Sequence, residues 1–232
     1  MEEIRAYLNS IDVECTDEML RSFDVYYNEL IEWNNRFNLT AITSREEVVL
    51  KHFIDSITAV KYIKSGNRVI DIGSGAGFPA IPLKIVKPDI DITMLDSLNK
   101  RVTFLEHMIE ILKLGDARAI HARAEDLAGG KMREAYDIVI ARAVARLDTL
   151  LEYTLPYIKV GGKFIAYKSI DSEEEIKEAA NALYKLKGKI IKVDEFNLPK
   201  SVINRTLIII EKIGKTPEMY PRDKNLPKKN AL

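Results

Sequence analysis

The chain has 232 residues, no net formal charge, and 47% hydrophobic residues. This length supports one large core with a small accessory part, and no run is apolar and long enough for a transmembrane helix. The first ten residues are polar and acidic, unlike a signal peptide, so we predict a cytoplasmic protein. A single cysteine, Cys15, excludes an internal disulfide and a multi-cysteine zinc site, and we predict no bound metal.

Charge is distributed unevenly along the sequence. Residues 1–35 contain nine acidic and two basic residues and carry −7, so the remainder carries +7. A positive face of this kind can bind phosphates, although solvated surface charge is the simpler interpretation for any single lysine. The basic residues concerned are Lys100, Arg101, Arg123, Arg142, Arg146, Lys168, Lys212, Lys215, Arg222, Lys224, Lys228 and Lys229.

The first sixty residues are predicted to be helical. Thr16 can cap a helix whose apolar side chains recur at helical spacing from Met19 to Ile31. Ser44 with Glu47 resembles a capping box before a second helix. The polar and aromatic connector over 33–40 could contact a ligand or simply close a turn, and its composition favours the turn.

From residue 68 onward, predicted strands and helices alternate, which indicates a largely parallel sheet covered on both faces. We assign strands to 68–72, 91–95, 117–121, 136–141, 162–167, 189–196 and 205–210. The clearest helices are 100–112 and 148–155, and a charged helix follows over 172–186. The last two strands should pair antiparallel, because the connector 197–201 is too short for a crossover helix. The tail from Thr216 is rich in Pro, Lys and Asn and is predicted to be irregular.

A glycine-rich turn follows the first strand. Glycine adopts backbone angles that are closed to other residues, so such a turn can bring N–H groups against a ligand. The glycines occupy the first, third and fifth positions, whereas a dinucleotide fingerprint needs the first, third and sixth. This spacing is similar to the first motif of the class I S-adenosylmethionine (SAM) methyltransferases. The candidate cofactor residues here are Asp71, Gly73, Ser74, Gly75, Gly77 and Phe78.

Acidic residues follow the next two strands. Asp96 ends the second strand, where a carboxylate can accept hydrogen bonds from both ribose hydroxyls, and Glu125 follows the third. NAD sites also place an acid where Asp96 stands, so that residue alone does not discriminate. The order of glycine turn, acid after strand two and acid after strand three favours SAM over NAD.

With these motifs in order, the chain resembles the glucose-inhibited division protein B (GidB) family, whose members are bacterial 16S ribosomal RNA guanine-N7 methyltransferases. The resemblance rests on 33–40, 51–56, 71–79, 96–101, 123–125, 141–145 and 220–222. It implies an α/β class I SAM-dependent methyltransferase fold, Rossmann-like, with a seven-stranded sheet, an antiparallel last strand and an N-terminal helical extension. We therefore expect a helical region over 1–64, a methyltransferase domain over 65–214 and a basic tail over 215–232.

The resemblance also implies roles for individual residues. It assigns Gly73 and Phe78 to the methionine and ribose side of SAM, with helix packing as the alternative role for Phe78. Asp96 and Ser97 would hold the ribose, and Ala124 and Glu125 the adenine. Arg142 would lie at the cofactor and active-site edge, and the candidate catalytic residues, which would bind phosphates or the guanine O6 edge, are Arg142, Arg123 and Arg222.

The tail departs from the family pattern. Asn225 stands where the family has glycine, and Ala231 stands where it has proline. An RNA contact by the tail is therefore a weaker expectation than the cofactor site.

Guanine N7 carries a lone pair and no proton at neutral pH, so it can attack the sulfonium methyl in line without a general base. The segment 141–145 reads Ala-Arg-Ala-Val-Ala and lacks the Asn/Asp-Pro-Pro-aromatic signature of exocyclic-amine methyltransferases. The expected partner is 16S ribosomal RNA, free or within the 30S subunit, and the expected enzyme is a monomer that does not bind membranes. Two alternatives stay open: a methyltransferase for small molecules or proteins, and a non-catalytic ribosome-associated or division factor.

Overall fold

The computed structural model describes residues 1–169, 172–223 and 225–232. Its centre is a seven-stranded sheet in the order β3-β2-β1-β4-β5-β7-β6. The strands are β1 (Arg68–Ile72), β2 (Asp91–Asp96), β3 (Ala117–His121), β4 (Tyr136–Arg142), β5 (Ile158–Lys168), β6 (Gly188–Asn197) and β7 (Asn204–Lys212).

The pairing of the strands confirms the predicted sheet. β1 to β5 pair in parallel, whereas β7 pairs antiparallel with both β5 and β6. All seven predicted strands are present, and β5 begins four residues earlier than predicted. Because β7 inserts between β5 and β6, β6 is the outermost strand on that side of the sheet. The turn of the β6–β7 hairpin lies at the edge of the sheet where β4 and β5 end.

Helices cover the sheet, and the helices of the first sixty residues come before β1 in the chain. The helix predicted over 172–186 is two helices interrupted at Ala179. Near the N-terminus, α3 (Arg45–Val48) joins α4 (Asp55–Ile57) through a π-helical turn, Val49–Ile54, a form often found at functional sites. The α-helices are α1 (Glu2–Ser10), α2 (Asp17–Phe37), α3 (Arg45–Val48), α4 (Asp55–Ile57), α5 (Ala80–Val86), α6 (Asn99–Ile111), α7 (Ala124–Leu127), α8 (Leu147–Thr154), α9 (Ser172–Glu178), α10 (Ala180–Leu186) and α11 (Leu226–Lys229).

The two predicted helix caps had different outcomes. Thr16 caps α2, since its Oγ1 accepts a hydrogen bond from the Met19 N–H at 3.2 Å. The prediction of a capping box at Ser44 is wrong. Its hydroxyl donates to the Glu47 carboxylate at 3.1 Å and makes no hydrogen bond to the backbone of α3. Glu47 is drawn toward the next turn by an ion pair with Lys51.

Two hydrophobic clusters lie on opposite faces of the sheet, as the alternation of side chains along a strand requires. Val69 packs in one cluster with Phe23 and Phe53 of the N-terminal helices, and Ile70 packs in the other with Leu151 of α8. The N-terminal helices thus share a core with one face of the sheet, while the domain boundary at 64–65 stays a prediction. Within the described ranges no helix has the length and apolarity that crossing a membrane requires.

The C-terminal tail, residues 215–232, differs from the irregular segment that was predicted. It contains α11 and forms hydrogen bonds with the core. The Arg133 guanidinium donates to the carbonyl oxygens of Thr216, Pro217 and Tyr220 at 2.8, 3.1 and 2.9 Å. These bonds give the tail a defined path although its composition is polar.

Candidate functional site

The glycine turn lies at the carboxyl end of β1 and is pinned to the end of β2. The N–H groups of Gly73 and Ser74 both donate to the Leu95 carbonyl oxygen, at 2.8 and 3.0 Å. The Gly75 N–H donates to Asp96 Oδ2 at 2.8 Å. Because these bonds come from the main chain, the turn presents its backbone at the edge of the sheet, where open α/β sheets bind ligands.

Glycine is required at two positions of this turn. Gly73 and Gly77 have φ values of +76° and +93°, in a region that other residues rarely adopt. A Cβ on Gly73 would lie 2.7 Å from Val144 Cγ2, and one on Gly77 would lie 2.8 Å from the Tyr26 hydroxyl. Any side chain at these positions would strain the backbone and collide with its neighbours.

Asp71 lies beneath the turn and is fully buried. Neither carboxylate oxygen has a hydrogen-bond partner in the described chain. Burial raises the pKa of Asp71 from 3.8 to about 7, since removal from water penalises the charged form. A buried carboxylate without a donor is a poor structural element, so this position requires another explanation.

Two cavities open at this edge of the sheet. The smaller cavity, of about 220 Å³, lies beside the turn, at the ends of β1, β2 and β3. It brings together Gly73 and four of the other residues that the sequence assigned to the cofactor: Asp96, Ser97, Ala124 and Glu125. Both Asp96 oxygens already accept bonds from backbone N–H groups, those of Gly75 and Leu98. Arg101 Nη1 also donates to Asp96 Oδ2, at 3.4 Å, so of about four acceptor sites on this carboxylate one remains for a ligand.

A larger cleft of about 460 Å³ lies at the ends of β4 and β5 and the start of β7. Four cationic and two anionic side chains line it, together with His52 and Tyr167. The charged residues are Lys51, Arg142, Lys168, Arg205, Asp55 and Glu175. The excess of cations makes the cleft suitable for a polyanion such as nucleic acid.

Arg142 is held in the larger cleft by three hydrogen bonds. Its Nη1 donates to the Lys51 carbonyl oxygen and to Asp55 Oδ2, both at 3.1 Å, and its Nη2 approaches His52 Nδ1 at 3.2 Å. Asp55 is buried and also accepts from Arg205 Nε at 3.1 Å. One carboxylate therefore organises two arginines that lie far apart in the sequence.

The protonation of His52 follows from its partners. Arginine offers only donors, so His52 Nδ1 must accept from Arg142, and Nε2 carries the hydrogen that it donates to Thr40 Oγ1 at 2.9 Å. Burial, followed by the charge of Arg142, lowers the pKa of His52 from 6.5 to about 4. His52 is therefore neutral at physiological pH and links the 33–40 connector to Arg142.

Phe78 lies in an aromatic cluster behind the turn. Its ring stacks on His52, with centroids 4.4 Å apart and planes inclined by 16°, and the Arg142 guanidinium lies 5.2 Å from its centroid. The side chain is buried and also stacks on Tyr26. This placement fits the packing interpretation of Phe78, and its contact with a cofactor stays a prediction.

The loop after β4 separates the two cavities. Ala143 and Ala145 line the larger cleft, whereas Val144 lines the smaller cavity and packs on Gly73. Ala143 has φ of +57°, a conformation that costs energy for any residue but glycine. A strained residue thus lies in the loop that separates the two cavities.

The other two arginines that the sequence proposed for catalysis lie elsewhere. Arg123 lines the smaller cavity and donates to Glu125 at 2.8 Å. Arg222 donates to the fully buried Glu152 through its backbone N–H, Nε and Nη2, at 2.6–3.1 Å. Arg222 therefore neutralises a buried carboxylate, which does not support a catalytic role for it.

The positive edge predicted from the sequence is largely paired. Arg101, Arg123, Arg146 and Lys168 form ion pairs with Asp96, Glu125, Glu178 and Glu175 respectively. Lys100 donates to the Phe37 carbonyl oxygen at 2.9 Å. The expectation of a strongly basic face was too simple, because counting basic residues overlooks the acids that folding brings beside them. In the described part of the chain no three His, Cys, Asp or Glu side chains converge as metal ligands would.

Sequence reasoning missed several residues of the two cavities. A signal existed for Asp55, because it follows Lys51 by four residues and His52 by three, and both spacings place side chains on the same side of a helix. No local pattern indicated Arg205, and no motif of the sequence assigned Lys228 or Asn225 a role in the cofactor site.

The chain is similar to known proteins in sequence and in fold. The profile of GidB, described as rRNA small subunit methyltransferase G, matches residues 19–204. The ribosomal RNA small subunit methyltransferase G of Staphylococcus carnosus is 48% identical over 229 residues, which cover 97% of this chain and 95% of that protein.

Two solved structures share the fold. TYW2 of M. jannaschii, in complex with AdoMet, matches with a TM-score of 0.54 at 18% identity and covers 68% of this chain and 77% of its own. A SAM-dependent methyltransferase from Aquifex aeolicus matches with a TM-score of 0.55 at 15% identity, covering 72% and 94%. The fold is thus the predicted one of the SAM-dependent methyltransferases. Given the profile match over most of its length and the full-length relative, the chain belongs to the GidB family, rRNA small subunit methyltransferase G.

Proposed function

We propose that this protein transfers the methyl group of SAM to N7 of one guanine in 16S ribosomal RNA. The observation that carries the proposal is the arrangement of two cavities on either side of the β4 loop. One is lined by the predicted cofactor residues and the other by Arg142 and further cations. The names of the relatives supply the ribosomal RNA of the small subunit as the substrate class.

The residues present fit SAM. Asp96 and Ser97 would hold the ribose in the smaller cavity, and Ala124 and Glu125 the adenine. Asp71 lines neither cavity, but its buried carboxylate lies directly before the turn and has no donor in the described chain, so a cationic group that reached it, such as the ammonium of the methionine half, would supply one. When bound, SAM supplies an electrophilic methyl group on a sulfonium.

The larger cleft supports an acceptor atom that needs no general base. Its two carboxylates are paired with cations: Asp55 with Arg142 and Arg205, and Glu175 with Lys168. His52 has a pKa of about 4 and both ring nitrogens in hydrogen bonds, so it is a weak proton acceptor. Guanine N7 has a free lone pair and no proton to lose, which matches a cleft without an available base.

Arg142 is the residue that we assign to the acceptor. Three of its five N–H donors have acceptors in the described chain, which leaves two for a phosphate or for guanine O6. Asp55 and His52 hold the guanidinium in place, so the remaining donors have a fixed direction. Catalysis would then consist mainly of positioning and of stabilising charge.

The finer expectations about partners and location belong to this proposal. We expect the protein to act as a cytoplasmic monomer and to recognise the guanine in an exposed or splayed position.

The decisive experiment is the transfer of labelled methyl from SAM to 30S subunits and to stripped 16S RNA, both taken from cells that lack this activity. Label that maps to 7-methylguanine at one position supports the proposal. SAM binding without label on either substrate contradicts it and redirects the search to small-molecule or protein acceptors. A protein that binds no SAM would support the non-catalytic alternative.

Two variants connect the assay to the cleft. Arg142→Ala should abolish transfer while SAM binding persists. Arg146→Ala is the matched control, because Arg146 lies on the same edge, is largely exposed and does not line either cavity. Wild-type activity in both variants would remove Arg142 from the mechanism.

A further inference from the structure

The C-terminal tail is fastened to the core close to the smaller cavity. Glu152 on α8 has no exposed surface, and Arg222 satisfies it with its backbone N–H at 2.7 Å and its Nη2 at 2.6 Å. The same Nη2 donates to the Asn230 carbonyl oxygen at 2.9 Å, which ties the end of the tail to its beginning. The Thr149 hydroxyl also donates to the Pro227 carbonyl oxygen at 3.3 Å.

This anchoring places two tail residues in the wall of the smaller cavity. Asn225 and Lys228 line it together with Tyr153, the neighbour of Glu152 on α8. Asp96 at the end of β2 and Glu125 on α7 line the same cavity. The tail therefore forms part of the wall of a cavity that also holds the predicted ribose and adenine residues.

Arg123 joins the tail to the end of β3. Its Nε donates to Glu125 at 2.8 Å, and its Nη2 donates to the Asn225 side-chain oxygen. Asn225 has φ of +60°, so the position where the family has glycine holds the residue that best tolerates this conformation after glycine. The substitution keeps the backbone geometry and adds an amide that reaches Arg123.

We infer that Asn225 and Lys228 are cofactor-binding residues, and that the tail closes over the nucleoside half of SAM instead of forming an RNA contact. The inference rests on the proposed function for the identity of the ligand. It lies outside the family match, which ends at residue 204. In this inference the tail shields the ribose and adenine from water, Lys228 offers a cation from the cavity wall, and Asn225 holds Arg123 against Glu125.

The test measures the binding of 5′-methylthioadenosine, which contains only the nucleoside half, and of S-adenosylhomocysteine by calorimetry on the full-length protein. Lys228→Ala and Asn225→Gly are the variants, since glycine preserves the left-handed backbone and removes only the amide. Lys229→Ala is the matched control, because Lys229 is the next residue of α11, is exposed and does not line the cavity. Thermal unfolding of each variant verifies its fold.

We expect Lys228→Ala and Asn225→Gly each to weaken both ligands by about three- to tenfold, the effect of losing one or two hydrogen bonds. Lys229→Ala should bind them like the wild type, and salt-dependent RNA retention should be the same for the two lysine variants. Unchanged affinity in both Lys228→Ala and Asn225→Gly would overturn the inference, as would a loss of RNA retention confined to Lys228→Ala. Failure of the wild-type protein to bind either ligand would instead refute the cofactor assignment of the proposed function.

Discussion

Replacing Asp71 with Asn should stabilise the protein in the absence of SAM, and only above about pH 5. Burial raises the pKa of Asp71 from 3.8 to about 7. The folded state therefore holds the proton more tightly than the unfolded chain, and this contribution to stability is complete below pH 3.8 and lost as the pH rises through 7. Above pH 7 the fold carries an ionised carboxylate with no hydrogen-bond partner in the described chain.

The magnitude follows from the difference between the two pKa values. Each pH unit between them corresponds to about 1.4 kcal/mol, so ionising Asp71 costs the fold about 4 kcal/mol at pH 8. The amide that Asp71→Asn introduces is also polar and buried, which reduces the expected gain to about 2–3 kcal/mol. For a chain of this size that corresponds to a rise in Tm on the order of 8 °C.

The assay is urea unfolding of both proteins between pH 4.5 and 8.5. The free energies of unfolding should coincide at the acidic end and diverge toward pH 8. His52 has a pKa of about 4 in the fold but 6.5 in the unfolded chain, so proton uptake by the unfolded chain below pH 6.5 destabilises both proteins equally and cancels in the difference. A constant difference across this range would refute the reasoning, because an uncharged role of Asp71 would not depend on pH.

The same substitution should have the opposite effect on the cofactor. If Asp71 accepts a hydrogen bond from the ammonium of SAM, Asp71→Asn weakens SAM binding by roughly 10- to 100-fold. Addition of SAM should then raise the Tm of the wild type more than that of the variant. Equal stabilisation of both by SAM would separate Asp71 from the cofactor site.

Further expected outcomes concern the cleft, the tail and the turn. Arg142→Lys keeps the charge but loses the planar fork, so single-turnover methyl transfer should fall by about 100-fold while SAM affinity measured by calorimetry stays within threefold. His52→Phe keeps an aromatic ring but loses both hydrogen bonds and should lower kcat more than it changes KM, whereas His52→Gln, which can accept and donate, should restore part of kcat; equal kcat values for the two would contradict the positioning role. Glu152→Ala leaves Arg222 without its partner and should cost about 3 kcal/mol in urea unfolding, and a change below about 1 kcal/mol would mean that the tail is held by other contacts. Gly77→Ala imposes a side chain at φ of +93° and should cost at least about 1–3 kcal/mol, unless the turn rearranges, which a crystal structure of the variant would reveal.

The sequence by itself determined the elements that depend on local patterns. Alternation of apolar strands with helical segments predicted all seven strands, and the short connector 197–201 predicted the antiparallel hairpin. The glycine turn was also visible, since a positive φ at Gly73 and Gly77 is a requirement of the local backbone. The positions that follow strand ends, such as Asp96 and Glu125, meet at one edge because parallel strands end together.

Only the tertiary structure decided which distant side chains meet. Asp55 binds Arg205 across 150 positions, and Arg123 binds Asn225 across 102. No local period encodes such pairs, because they depend on the order of strands in the sheet and on the path of the tail. The same limit explains why the arginines were predicted to form one positive edge: the chain has no net charge, and folding places an acid beside most of its arginines. Of the three arginines predicted for catalysis, only Arg142 lies at the larger cleft.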